Sequence, residues 1–392
     1  MPKKDHILNL PGFILKKAKE SEHRLILDVA YKGKIACAYC SGSRLRKKAS
    51  FMRRVHHETM GLRKTILHFV GHKYYCRDCQ RYFNGRYPGI LKYQRSTERL
   101  RMQVAHYHTN GVSQKDLARD FRVGTATVER WYQRYYHLHS QEMKSRPCPT
   151  VLGIDEHFFT KKDGYATTLC DLRRHTIFDV VKGRSAADLH GYLQGLEGKE
   201  NVKVVCMDLS STYRSLVKRY FPNAMIVADR FHVIRLLQHH CLQTYQQLSP
   251  TLKYHRGLLG ALRTLPENLS TKQRILRDEY FTQHPAIQAV YEFKQRLHQL
   301  LMNKHCKVKR CKKLIPIFLN WLNELKHQPF TPLQTLARTL SHWQEEIVRM
   351  WRFTKSNGIT EGFHRKMKLI QRRAYGFRNF ENYRLRVRVL CG

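Results

Sequence analysis

VKVVCMDLSSTY, residues 202–213, holds a short run of Val, Cys and Met that stops at an acid, Asp208, just before residues suited to start a helix. An apolar run of this length, rich in Val, Ile and Leu, is the pattern of a buried strand. The same grammar occurs in VLGIDEHFF, residues 151–159, where the run stops at Asp155. In SNGITEGFHRKMK, residues 356–368, Glu361 opens a basic amphipathic helix. Strand ends and a helix start can converge on one point. Three acids meeting in a chain of formal net charge +42 point to a divalent cation that offsets their repulsion and faces a polyanion.

Around these acids the spacing predicts strands over 150–155, 165–172, 176–181, 202–207 and 224–228, with helices over 185–196 and 210–220. Three strands, a helix, a strand, a helix and a strand is the order of an RNase H-like core. In it the first and fourth strands are neighbours, so Asp155 and Asp208 are expected side by side at their ends. After Asp229 the periodicity is helical for more than a hundred residues, and SNGITEGF then resumes the core. The fold class expected is therefore multi-domain α/β, an RNase H-like core interrupted by an all-helical insertion and preceded by small N-terminal domains. The expected boundaries are 1–90, 91–145, 150–234, 235–352 and 353–392. Within the insertion, KHCKVKRCKK with Cys306 and Cys311 reads as a solvated or phosphate-contacting face and not as a second metal site.

Composition narrows the partners. Lys and Arg total 72 against 30 acidic residues, which favours nucleic acid over other ligands. No uninterrupted apolar run of about 18 residues and no secretory leader is present, so no membrane partner and a soluble, cytoplasmic protein are expected. The 11 cysteines argue for reduced thiols and metal ligands over a disulfide framework. Cys37-x-x-Cys40 and Cys76-x-x-Cys79 are two knuckles whose spacing suits one tetrahedral, structural Zn2+. Between them, alternation around Ile66, Phe69 and Val70 suggests a hairpin, as in a zinc ribbon. His56, His57, His68 and His72 lie in the same segment, but four cysteines already fill the shell.

GVSQKDLARDFRVGTATVERWYQRYY, residues 111–136, has the layout of a helix-turn-helix. Ser113 can cap a helix carrying Leu117, Ala118 and Phe121; Gly124 permits the turn; a second helix carries Val128 and Trp131 inward. That leaves Thr125, Thr127, Arg130 and Gln133 for the major groove of double-stranded DNA. Lys92, Arg95, Arg99 and Arg101 add basic flanks. On the last helix Phe363, Met367 and Ile370 form an apolar stripe, while Glu361, Arg365, Lys368 and Arg372 form a second one, an acid followed by bases that can track a DNA backbone.

The order of the cysteine knuckles, the helix-turn-helix, GIDE, MDLSSTYR, ADRFHVIRLL and NGITEGFHRKMK followed by AYGFRNFENYRLR resembles a family of bacterial insertion-sequence transposases of the DDE type. The resemblance implies a two-metal site, with Mg2+ or Mn2+ held by Asp155, Asp208 and Glu361. It implies recognition of the element's terminal inverted repeats, then strand cleavage and transfer into target DNA. Asp229 and His232 resemble an Asp-x-x-His motif that supports or positions such a site. Pairing two element ends makes a homodimer or larger assembly on DNA the expected state. A zinc-ribbon and helix-turn-helix transcription regulator without catalysis is the alternative, and it would need no converging acids.

Overall fold

The computed structural model describes residues 8–144, 146–353 and 358–392, with the side chains of 142–144, 359 and 361 outside the description. Contacts group the chain into two units, residues up to 144 with 370–377, and residues 145–369 with 378–392.

In the first unit β1 (Phe13–Glu20) and β2 (Arg24–Tyr31) pair antiparallel, and β3 (Leu45–Met60) and β4 (Arg63–Cys76) form a long hairpin. Its turn falls on Gly61, whose φ of 65° lies where a side chain would strain the backbone. The short strand β5 (Tyr82–Asn84) pairs with β4, and β2 pairs with β4 in parallel, giving the order β1-β2-β4-β3. The expected ribbon hairpin is thus one part of a five-stranded sheet that begins before the first knuckle. Period-two burial explains the join. Leu25, Leu27 and Val29 on β2 face the same core as Leu67 and Phe69 on β4. Val70, the next residue, is 49% exposed, because it lies one residue out of step with Phe69 on a strand whose faces alternate.

Three helices follow, α1 (Glu98–Thr109), α2 (Gln114–Asp120) and α3 (Thr125–Lys144). Ser113 caps α2 as expected, its Oγ accepting from the Asp116 N–H at 3.1 Å. Two details of the helix-turn-helix differ from expectation. The left-handed residue of the turn is Arg122, φ 49°, not Gly124. On α3 the buried row is Val128, Tyr132, Tyr136 and Ser140, a four-residue repeat. Trp131 is only half-buried, with Arg101 over its ring at 5.9 Å.

The second unit is built on β6 (Val151–Thr160), β7 (Gly164–Asp171), β8 (Thr176–Lys182), β9 (Val204–Met207) and β10 (Met225–Ala228), with α4 (Ala186–Gln194) and α5 (Ser211–Tyr220) between them. The order is β10-β9-β6-β7-β8. Strands β6, β7 and β8 are antiparallel neighbours, while β9 and β10 join in parallel on the other side of β6. That is the RNase H-like topology. Parallel neighbours need crossovers, and α4 and α5 supply them. One expectation changes: Asp155 does not end its strand. β6 continues to Thr160 because β7 goes on pairing with it, through Asp155↔Thr168 to Thr160↔Gly164. The register nevertheless sets the two acids side by side, since Ile154 pairs with Met207 and each acid is the next residue along.

Seven helices then run between β10 and the last two. They are α6 (Arg230–Leu248), α7 (Arg256–Arg263), α8 (Thr271–Gln283), α9 (Pro285–Leu301), α10 (Val308–Lys326), α11 (Thr331–His342) and α12 (Gln344–Arg352). They share one apolar core with the sheet, continuous from Leu152 and Val205 through Leu237, Leu297 and Leu336 to Trp351. Cys306 and Cys311 are buried in it, so the basic tract there presents its lysines to solvent and its cysteines inward. The chain ends in α13 (Gly358–Arg373) and α14 (Phe380–Cys391). Arg384 donates two bonds to the buried Asp179, Nε to Oδ1 at 2.8 Å and Nη2 to Oδ2 at 2.7 Å, and so fastens α14 to β8. All 11 cysteines are free, and among the described residues no helix is long and apolar enough to cross a membrane.

Candidate active site and cysteine centre

Asp155 on β6, Asp208 just after β9 and His232 on the first turn of α6 bring one donor atom each within 4.8 Å of the others. His232 Nε2 lies 3.0 Å from Asp208 Oδ1 and 3.7 Å from Asp229 Oδ2. Asp229 is buried at the N-cap of α6, a position set by β10 ending at Ala228. Burial first, and then the neighbouring Asp208 charge, push the Asp155 carboxyl up to about 7. Burial opposes the charged form of His232, but its hydrogen bond to Asp208 and that carboxylate's charge outweigh it and raise the group. Among the described residues, the ion-pair partners of Asp155 and Asp208 are His364 and His232; in a chain with 72 Lys and Arg, neither acid takes one of them. Asp208 Oδ1 is buried and faces His232 Nε2 at 3.0 Å. Crowded, desolvated oxygens with one imidazole are a donor set that fits a hard divalent cation.

Glu361 lies in the first turn of α13; its side chain is outside the described residues. His364 follows three residues later, hence on a neighbouring position of the same helical face. Its Nδ1 is 3.7 Å from Asp155 Oδ2 and its Nε2 3.2 Å from Thr168 Oγ1. Thr168 Oγ1 in turn meets His157 Nδ1 at 3.0 Å, and His157 Nε2 meets the Tyr383 hydroxyl at 2.8 Å. Burial holds His157 down to about 3 and His364 to about 4, so both rings are neutral at pH 7. Each neutral ring donates from one nitrogen and accepts at the other. The chain can run Tyr383 to His157 to Thr168 to His364, which leaves an N–H facing Asp155, or in reverse, which leaves a lone pair facing it. The ionised form of Asp155 selects the first. Sequence reasoning missed all four residues. His157 and Thr168 sit on paired strands, two and zero positions from the Asp155 rung, a signal that appears only once the hairpin register is known.

The four cysteines of the first unit converge as the spacing requires. Cys37 Sγ is 3.5 Å from Cys79 Sγ, and Cys40 Sγ is 3.6 Å from Cys76 Sγ. Four thiolates on one zinc at ~2.3 Å stand about 3.8 Å apart, so the cluster fits a tetrahedral ion. Burial raises the Cys37 thiol, but backbone N–H groups of Cys40 and Tyr39 outweigh it and bring it down to about 6. The histidines of the segment do other work; His57, for example, is buried between Thr97 Oγ1 and the Leu8 carbonyl, 3.0 Å from each.

Of the groove-reading candidates on α3, Thr125 and Arg130 are exposed and Thr127 and Gln133 half-exposed. Arg130 Nη2 donates to Thr127 Oγ1 at 3.1 Å, and Gln133 to Glu129 at 3.1 Å. Arg365, Lys368 and Arg372 are exposed on α13, whose Met367 and Ile370 are buried and Phe363 half-buried. Two of the basic flank residues are engaged within the unit, Arg99 with Glu58 at 3.3 Å and Arg101 with Ser96 Oγ at 3.0 Å.

An RNase H-like sheet that gathers aspartates at its centre defines a class of enzyme that uses divalent metal to cut and join nucleic-acid strands. The comparisons make the class narrower. Residues 152–387 match the ISL3-type DDE model described as a transposase, and residues 86–136 match the helix-turn-helix domain of transposase family ISL3. The chain is 25% identical over 367 residues to the transposase for insertion sequence element IS1001 of Bordetella parapertussis, covering 90% of this chain and 88% of that protein. This chain belongs to the ISL3 family of insertion-sequence transposases, DDE-type enzymes with a DNA-binding helix-turn-helix.

Proposed function

We propose that Asp155, Asp208 and Glu361 are the metal-holding acids of a site that cuts DNA at the element's terminal inverted repeats and transfers the freed strand to a target. The observation that carries this is the convergence of Asp155, Asp208 and His232 donor atoms within 4.8 Å. Magnesium or manganese bound there would supply Lewis-acid polarisation of the phosphodiester and a more acidic attacking water. The chain's own residues set the geometry. Asp155 and Asp208 are fixed by adjacent strands in register, and Glu361 would approach from the helix that also bears His364. His232 and Asp229 support the site, His232 by holding Asp208 Oδ1 in one orientation. Burial of Asp155 keeps bulk water from screening its charge.

In this reading Cys37, Cys40, Cys76 and Cys79 hold a structural zinc. Thr125, Thr127, Arg130 and Gln133 read the terminal repeat in the major groove, and Arg365, Lys368 and Arg372 contact phosphates. The relative is named for the element it serves, which supports the ends of this chain's own element as its DNA. Because two ends are joined in one event, a dimer or larger assembly on DNA is part of the proposal. A regulator acting without chemistry would leave the clustered acids unexplained.

The test is a cleavage and joining assay with purified protein, magnesium and labelled DNA carrying the element's ends, beside Asp155→Asn, Asp208→Asn and Glu361→Gln. Nicked and joined products that vanish in all three variants, with end binding retained, are expected. Near-normal nicking by the three variants would sink the assignment.

A further inference from the structure

The first unit carries a cleft of about 1240 Å³ between β3, β5 and the segment 85–95, beside the cysteine centre. Its walls include Lys34, Arg54, Lys73, Arg86, Lys92 and Arg95, and no Asp or Glu is among the described residues that line it. Uniform positive charge without a carboxylate matches a polyanion. Rings are interleaved with the cations: Tyr39 and Tyr82 are more than half exposed, and Tyr93 is 80% exposed. Each ring has a cation against it, Arg81 over Tyr39 at 5.2 Å, Lys73 over Tyr82 at 5.3 Å and Lys92 over Tyr93 at 4.7 Å. Solvent-facing rings beside cations offer a base and its linked phosphate adjacent partners.

Tyr93 supplies an independent observation. Its φ is 61°, a left-handed conformation that is unfavourable for a bulky side chain and persists only when the surroundings impose it. The surroundings here are visible: Arg53 reaches from β3 and donates to the Gln94 carbonyl at 3.0 Å, tying down the wall that presents Tyr93. Strained backbone that holds a large ring in water contributes nothing to the core.

We infer that this cleft binds an unpaired DNA strand, by stacking bases on Tyr39, Tyr82 and Tyr93 and holding phosphates with the flanking lysines and arginines. Shape decides between unpaired strand and duplex. Duplex is read by a convex element that enters a groove, as α3 can. A concave, ring-lined channel instead receives bases splayed from a single strand. The inference rests on DNA being the ligand of this transposase, and it adds a second site for the single-stranded DNA beside a cut end.

Fluorescence anisotropy on the full-length protein tests it. The probes are a blunt duplex carrying the element's end and the same duplex with a single-stranded tail of about eight nucleotides, within the span such grooves cover. Wild type should bind the tailed probe more tightly. Tyr93→Ala should weaken tailed binding by roughly five-fold or more, with blunt binding and the salt dependence unchanged. Lys92→Gln should instead lower the log–log salt slope for the tailed probe by about 0.7. A tail that adds nothing in the wild type, or an equal loss of both probes in Tyr93→Ala, overturns the inference. So does competition by polyglutamate with none by single-stranded oligonucleotide, which would assign the cleft to an acidic protein. Arg130→Ala separates the two readings: loss of blunt binding there bears on α3, while the tail increment alone decides the cleft.

Discussion

The two candidate metal centres are built in opposite ways. The four thiols come from two tight knuckles, Cys37/Cys40 and Cys76/Cys79, joined by one hairpin. The acids come from β6, the end of β9 and the start of α6, with Glu361 on α13 more than two hundred residues from Asp155. The first centre sits in a small sheet with a modest core of its own, Tyr74, Phe83 and two of the cysteines. The second sits against the largest apolar core among the described residues, beside Ile154, Met207, Ala228 and Val233. An ion at the first therefore completes a fold, whereas an ion at the second relieves a strain that the fold already withstands.

The largest effect follows from that contrast. Cys76→Ser, or removal of zinc with a strong chelator, should take away folding energy on the order of 10 kcal/mol and melt the knuckle end of the first sheet. Asp208→Asn should change the stability of metal-free protein little, because the repulsion it removes from Asp155 offsets the contact with His232 that it loses. Metal content and thermal melting of the two variants are the measurement. A Cys76→Ser protein that melts like wild type, or an Asp208→Asn protein that unfolds early without metal, would erase the distinction.

A smaller effect tests whether the helices between β10 and α13 are a separable appendage or part of the site's foundation. Arg230, between Asp229 and His232, is buried and donates to three carbonyls, Leu301 at 3.1 Å, Asn303 at 2.9 Å and Met350 at 2.7 Å. It thereby closes the C-terminal ends of α9 and α12 onto the start of α6, where cations complement the helix dipole. Arg230→Ala takes the donor from two buried carbonyls and a half-buried one and should cost on the order of 4 kcal/mol. Arg230→Lys should rescue little, since an ammonium lacks the planar fork that spans the three. Urea denaturation monitored at the tryptophans reads this. A loss under about 1 kcal/mol would mean the helices hold together without the clamp.

What the sequence discloses tracks how local each feature is. The knuckles, the Ser113 cap and the strand that ends just before Asp208 are written in spacing and periodicity, and the structure has them. The length of β6 beyond Asp155 is not, because it depends on pairing with β7. Nor is the outward face of Val70, since a mixed run such as ILHFV carries apolar residues on both faces of a strand. Tyr132 and Tyr136 look like surface aromatics until the α3 row is placed against α1, where His108 stacks on Tyr132 at 3.8 Å between ring centroids. The imidazole chain beside Asp155 joins residues from β6, β7, α13 and α14, and no sequence window contains it. The side chain of Glu361, the third expected acid, lies outside the described residues.

The smallest effect reaches into that chain and sharpens the comparison most. Tyr383 is buried, its ring 4.8 Å from Phe159 between centroids, and Tyr383→Phe keeps the ring while deleting the donor to His157. The cost in stability should be about 1 kcal/mol. The functional cost has a different origin. Without the Tyr383 hydroxyl, His157 Nε2 loses the donor that supports this direction, so the direction rests on Asp155 alone, and molecules with the reversed chain, a His364 lone pair toward Asp155, become more frequent. Strand cleavage should slow several-fold and need more magnesium for half-maximal rate, with end binding unchanged. If melting shifts but the magnesium dependence does not, the chain serves only to fasten α14 to β6. If both shift, Tyr383 positions the site from the far end of three hydrogen bonds, and the carboxylate centre differs from the cysteine centre in a further respect: its geometry depends on a polar network as well as on its ligands.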